Sequence, residues 1–268
     1  MDYPPTVEIG GIVVDNLSFT EAVQRILALA KERRSQYVVT PNADHIVKLQ
    51  DDAAFREVYQ GAALKVADGM PLIWVSKWFG TPLKARITGA DLLPVLCAEA
   101  ARQGLSVYLL GGDTAAVAQT AVTKLTSIYA GLNIAGWYSP PYGFENNPTE
   151  SAYIVSQINQ CTPDIVFVGV GAPKQEFWIS KHRTKINTGI FLGVGIAIAF
   201  AAGTEKRAPR IMQQLGLEWL HRLLQDPRRL AKRYLKDLSF FWIAYRTHRR
   251  AGVGTRKLES KTSFGQKK

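Results

Sequence analysis

Ile165-Val166-Phe167-Val168-Gly169-Val170-Gly171-Ala172-Pro173-Lys174-Gln175-Glu176 reads as a short apolar strand, a glycine turn and a polar run that opens the next segment. Outward from it, similar runs lie near Val7 to Val14, Tyr37 to Thr40, Ala63 to Ala67, Ser106 to Leu110, Leu132 to Ala135 and Gly189 to Val194. Helical patterns fill the gaps, among them Phe19 to Arg33, where Ser18 and Glu21 stand at capping-box spacing. This alternation predicts an α/β fold with a largely parallel sheet flanked by helices. In such sheets ligands collect at the carboxyl ends of the strands, so the residues after each strand carry the functional reading.

Charge divides the 268 residues unequally. Residues 1–203 carry 16 Lys and Arg against 17 Asp and Glu, a net of −1, whereas residues 204–268 carry 17 against 5, a net of +12. A neutral block followed by a basic one predicts an α/β core over 1–203, a basic helical appendage over 204–250, and a disordered tail over 251–268 that is rich in Gly, Ser, Thr and Lys. Within Asp226 to Arg250, Leu230, Tyr234, Leu238, Phe241 and Tyr245 recur at helical spacing, while Arg229, Lys232, Arg233 and Lys236 take another part of the circumference. A phosphate-rich partner suits such a helix. Phe240-Phe241-Trp242-Ile243 suits an anionic bilayer interface better than a nucleic-acid backbone.

Met1-Asp2-Tyr3-Pro4-Pro5 lacks a secretory start, and the uncharged apolar stretch Gly189 to Thr204 is shorter than the roughly 20 apolar residues of a spanning helix. The expected location is therefore cytoplasmic, peripheral on the inner face of the plasma membrane. Cys97 and Cys161 lack metal-type spacing and read as reduced core thiols.

Asp68 follows the strand Leu64-Lys65-Val66-Ala67 and precedes Pro71, which opens a helix. Its carboxylate could take a proton from an attacking hydroxyl, or it could merely cap that helix. Gly111, Gly112, Gly169 and Gly171 follow apolar strands, where backbone N–H groups can approach a diphosphate, although tight turns need glycine in any case. Neither pair completes the dinucleotide fingerprint, which argues against a nicotinamide enzyme. Lys174, Gln175 and Glu176 set three hydrogen-bonding side chains beside the second turn. Thr40 and Asn42 could bond a sugar or phosphate, or Asn42 could cap the helix through His45, itself read as structural. No transition-metal cluster and no Asp-x-Asp pair is present in the sequence, so no metal or other cofactor is expected. Backbone dipoles, Arg86 and other Arg or Lys would then meet any leaving-group charge.

Six blocks resemble the WecG/TagA/CpsF family of bacterial glycosyltransferases: TPNADHIVKLQ (40–50), VADGMPLIW (66–74), RITGADLLP (86–94), LLGG (109–112), VGVGAPKQEFWI (168–179) and RAPRIMQQLGLEWLHRLLQDPRRLAKRYL (207–235). They run in family order across residues 7–236. The resemblance implies a Rossmann-like core and an inverting, metal-independent transferase. Such an enzyme moves a hexose, an N-acetylhexosamine or a uronic acid from a UDP-sugar to an undecaprenyl-diphosphate-linked saccharide in cell-wall polymer or exopolysaccharide synthesis. It also implies Asp68 as catalytic base, Thr40, Asn42, Arg86 and Gln175 as active-site polar residues, Trp137 as the aromatic that stacks on uracil, and a membrane-targeting appendage. Arg207, Arg222, Arg229 and Arg233 are the candidates to meet the donor's diphosphate.

One departure stands out. Where the family commonly has a Phe-Asp pair after Gly193-Val194-Gly195, this chain has Ile198-Ala199. That motivates a second reading, a catalytically silent, membrane-attached accessory of a partner transferase. A homo-oligomer is compatible with either.

Overall fold

A computed structural model describes residues 5–250, apart from the side chains of Gln214 and Arg229. The expected disorder of 251–268 lies outside the described residues. The chain opens with β1 (Thr6–Ile9) and β2 (Ile12–Asp15), an antiparallel hairpin where a single strand over Val7 to Val14 is expected. Gly10 and Gly11 take φ of 63° and 85°, and two adjacent residues at positive φ make a tight hairpin turn rather than a continuing strand.

The remainder alternates as expected: α1 (Phe19–Glu32), β3 (Gln36–Val39), α2 (Ala43–Asp51), α3 (Ala53–Gln60), β4 (Leu64–Lys65), α4 (Met70–Trp78), α5 (Gly89–Gln103), β5 (Ser106–Gly111) and α6 (Ala115–Ile128). It continues through β6 (Asn133–Tyr138), α7 (Pro148–Cys161), β7 (Ile165–Gly169), α8 (Lys174–His182), β8 (Ile190–Gly193) and α9 (Ala197–Ala202). Strands β3 to β8 form one six-stranded sheet in the order β4-β3-β8-β7-β5-β6, with every pairing parallel.

Side chains alternate between two buried faces. Tyr37, Val39, Tyr108, Leu110, Val166, Val168 and Phe191 join α2, α3, α4, α7 and α8 on one side. Val38, Val107, Leu109, Ile165, Phe167, Ile190 and Leu192 join α1, α5, α6 and α9 on the other. Burial on both faces is why these strands read as unbroken apolar runs. The Ser18–Glu21 capping box is formed at the start of α1, and Cys97 and Cys161 are both free thiols.

Order within the sheet fixes where a ligand can sit. From β3 the chain moves outward to β4, whereas β8 is reached from the opposite half; β5 likewise leads outward to β6 while β7 leads inward to β8. Crevices open at such reversals, beyond the carboxyl ends of the strands. By that rule the places for a ligand are the ends of β3 and β8, at Thr40 and Val194, and the ends of β5 and β7, at Gly112 and Val170.

The basic segment is more broken than its periodicity suggests. It contains α10 (Arg210–Gln214), α11 (Glu218–Gln225) and α12 (Pro227–Asp237), followed by a turn at Leu238 and a last helix, α13 (239–250), instead of one helix from Asp226 to Arg250. The inward stripe of α13 is Phe240, Ile243 and Ala244, which enter the main core at 0%, 8% and 1% exposure. Leu238, Trp242 and Tyr245, spaced at i, i+4 and i+7, point outward instead. Two apolar stripes on one helix defeat a reading that allows for only one.

Candidate active site

Backbone hydrogen bonds gather the polar strand ends. The Asp68 amide donates to the Pro41 carbonyl at 2.8 Å, and the Ile87 amide donates to the Ala67 carbonyl at 2.7 Å. The segments holding Thr40, Asn42, Asp68 and Arg86 are thereby tied side by side. Gly89 closes the group from α5: a β-carbon there would lie 2.8 Å from Cα of Val194. Thr40 is buried at 7% exposure. Asn42 caps α2, its side chain accepting from the His45 amide at 3.0 Å.

Asp68 does not cap α4. Gly69 occupies that N-cap with φ of 99°, and no side chain bonds the helix start. The Asp68 carboxyl is half-buried, and its pKa is raised to about 7. Burial is the main cause. Arg86 and Arg222 pull in the opposite direction, and Glu218 and Asp91 push further up. A carboxylate surrounded by protein yet partly open to solvent can change protonation near neutral pH.

Beside it lies a cluster of three guanidinium groups and two carboxylates. Arg86 reaches Glu218 at 3.1 Å and Asp91 at 3.5 Å. Arg207 bonds Asp91 at 2.7 Å and approaches Glu218 at 3.5 Å, and Arg222 approaches the same Glu218 at 3.5 Å. Thr88 fixes Asp91 through a hydroxyl bond of 2.8 Å. Burial alone would lift Asp91, but Arg207, Thr88 and Arg86 together hold its pKa below the usual carboxylate value. Among the described residues, Nη2 of Arg207 is buried without a partner.

Helix starts at the strand ends are of two kinds. Side chains cap α1, α2, α3, α5, α6 and α7, whereas α4, α8 and α9, which follow β4, β7 and β8, have no side-chain cap, and neither do α10 and α11 in the appendage. Uncapped N-termini leave N–H groups and the positive end of the helix dipole for an anion. At the adjoining turns Gly111, Gly112 and Gly171 have φ of 129°, 100° and 86°. A β-carbon on Gly111 would run into the carbonyl of Gly169, so the close approach of β5 and β7 demands glycine.

The family model described as "Glycosyl transferase WecG/TagA/CpsF family" matches residues 7–253. The chain belongs to that family. As a WecG/TagA/CpsF glycosyl transferase it needs a sugar donor and an acceptor, and the cluster at Asp68 lies where its parallel sheet opens.

Several expected site residues of this transferase are held by contacts within the protein. Gln175 is 3% exposed; its Nε2 donates to Glu176 at 2.8 Å and its Oε1 accepts from the Gly195 amide at 3.1 Å. Glu176 is 1% exposed, with its pKa raised to about 7 by burial against the opposing Gln175 bond. Together they brace the turn after β8. Lys174 pairs with Glu145 at 3.0 Å and lies 4.1 Å over the Tyr142 ring, engaged by the loop before α7. Trp137 is half-buried on the edge strand, opposite Leu109. His45 is buried, bonds Tyr59 at 2.6 Å and has its pKa pushed down to about 4 by burial, as befits a structural histidine.

The appendage arginines divide. Arg207 and Arg222 join the cluster at Asp68, whereas Arg233 bonds Asp44 on α2 at 2.8 Å. The Arg229 side chain lies outside what the structure describes. Sequence reading missed Asp91, Glu218 and Asp44. The Thr88-x-x-Asp91 spacing carried a capping signal for the first, and the i,i+4 spacing to Arg222 is the local mark of Glu218, whose other partners lie 132 and 11 residues away.

Proposed function

We propose that this transferase moves a hexose, N-acetylhexosamine or uronic acid from a UDP-sugar to an undecaprenyl-diphosphate-linked saccharide, with inversion and without a metal. The observation that carries the reading is a carboxyl of pKa about 7, Asp68, beside three guanidinium groups. The acceptor hydroxyl attacks the anomeric carbon and gives its proton to Asp68. The bond from that carbon to the diphosphate breaks, and UDP leaves with the electron pair. Arg86, Arg207, Arg222 and the uncapped starts of α4 and α8 meet the charge that develops on it. Thr40 and Asn42 orient the sugars, Gln175 keeps the β8 turn in place, and Trp137 stacks on the uracil.

The acceptor is a lipid, and the outward stripe of the last two helices supports docking at an anionic bilayer. Leu235, Leu238 and Trp242 are 70%, 60% and 64% exposed, with Trp78 at 68% close by. Among the described residues no helix is long and apolar enough to cross a membrane. Apolar side chains in a basic segment suit peripheral binding to the inner leaflet, with polymer synthesis at that surface as the setting.

A panel of UDP-sugars with a short-chain undecaprenyl-diphosphate acceptor tests this directly. Product with one donor, lost in Asp68→Ala, is the expected result. The accessory-protein reading rests on Ala199, 2% exposed where the family commonly has an acid. Failure of millimolar UDP to bind in the presence of lipid would favour it.

A further inference from the structure

The carboxylate of Glu218 lies among the same three guanidinium groups that the proposed donor would need. Its two oxygens take Arg86 at 3.1 Å, Arg207 at 3.5 Å and Arg222 at 3.5 Å, and the glutamate is 16% exposed as a side chain. None of these contacts is as short as the 2.7 Å bond between Arg207 and Asp91. Two oxygens cannot saturate three forked donors, and Nη2 of Arg207 remains buried and, among the described residues, unpartnered. With Asp91 counted, three positive charges face two negative ones. Asp91 is fixed to α5 by Thr88, whereas Glu218 arrives from the appendage, in the first turn of α11.

We propose that Glu218 is a built-in competitor for the diphosphate seat: it holds the arginines together while the seat is empty, and the donor's diphosphate displaces it. The inference rests on the donor reading given above. A diphosphate brings more acceptor oxygens and more charge than a single carboxylate, and its extra oxygens can reach the orphaned Nη2 of Arg207. The exchange therefore favours the ligand while every arginine keeps an anionic partner throughout. Because coupling is reciprocal, a donor that displaces Glu218 also weakens the tie between α11 and Arg86 by the same factor.

Calorimetric titration of the full chain with UDP, and separately with inorganic pyrophosphate, tests the competition in wild type and Glu218→Gln. The glutamine has the same shape and no charge. Both probes are expected to bind the variant about tenfold more tightly. Glu218→Asp, which keeps the charge on a shorter arm, is expected to show a smaller gain and stands in should the glutamine variant misfold. If UDP binds wild type and the variants equally, or the variants more weakly, Glu218 only positions the arginines and the competition is refuted, while the donor reading survives. If pyrophosphate shows the gain but UDP binds no better than pyrophosphate, the competition stands and the nucleotide reading fails.

Discussion

A β-carbon on Gly193 would stand 2.7 Å from Nε2 of Gln175. That amide is clamped at both ends, by Glu176 and by the Gly195 backbone, so it cannot swing aside without losing a bond. Gly193→Ala is therefore expected to destabilise the protein by about 1–3 kcal/mol, the scale of overpacking. Urea midpoints of Gly193→Ala, Gln175→Ala and the double variant form the measurement. Direct contact predicts strong non-additivity, whereas additive effects would mean that the two sites do not meet.

Asp68 sits beside the arginine cluster with a pKa of about 7. As the base it must be ionised, so turnover is expected to rise with pH through about 7 and then level off. Asp68→Asn is expected to lower turnover by about 10²-fold or more and to abolish that limb of the pH profile. A variant that keeps the limb at near-normal rate would assign the proton transfer to another group.

Much of this arrangement is legible in the chain itself. The alternation of strand and helix, the Ser18–Glu21 cap and the glycines after β5 and β7 are local signals, and local sterics enforce them. Asp68 and Arg86 are legible as single residues, but their proximity is not, because it comes from the pairing of Ile87 with Ala67 across the fold. Glu218 is the extreme case. Arg222 pairs with it locally at i,i+4, but Arg86 is brought to it only by the return of the appendage, and in the chain alone it resembles any solvated glutamate in an i,i+4 pair. Gln175 and Glu176 show a different limit of the sequence. Polar residues next to a glycine turn suggest ligand contact, but depth within the fold, which spacing does not encode, turns them toward each other.

The two stripes of the last helix make separable predictions. Phe240 is 0% exposed in the main core, and truncation to alanine is expected to cost about 3–5 kcal/mol. Trp242 is 64% exposed on the opposite stripe, and its truncation should leave stability within about 0.5 kcal/mol. Flotation with anionic vesicles should reverse the order, with Trp242→Ala losing most of its bound fraction. Equal loss of flotation by a folded Phe240→Ala protein would place the bilayer contact elsewhere.

Glu176 gives the fold a pH dependence of definite sign. Its folded pKa of about 7 exceeds the ordinary value of 4.5, so between these limits the folded state holds a proton that the unfolded chain releases. Bound protons in excess on the folded side mean that stability falls as pH rises from about 4.5 to about 7, and stays lower above that. Asp68, raised from 3.8 to about 7, acts in the same direction. Glu176→Gln keeps an oxygen to accept from Gln175 but cannot ionise. Denaturation midpoints at pH 5 and pH 8 should therefore lie closer together in Glu176→Gln than in wild type, with the variant's advantage confined to the higher pH. An unchanged gap would mean that Glu176 ionises as readily in the folded protein as in the unfolded chain, and that its side chain is hydrated rather than sealed beneath the β8 turn.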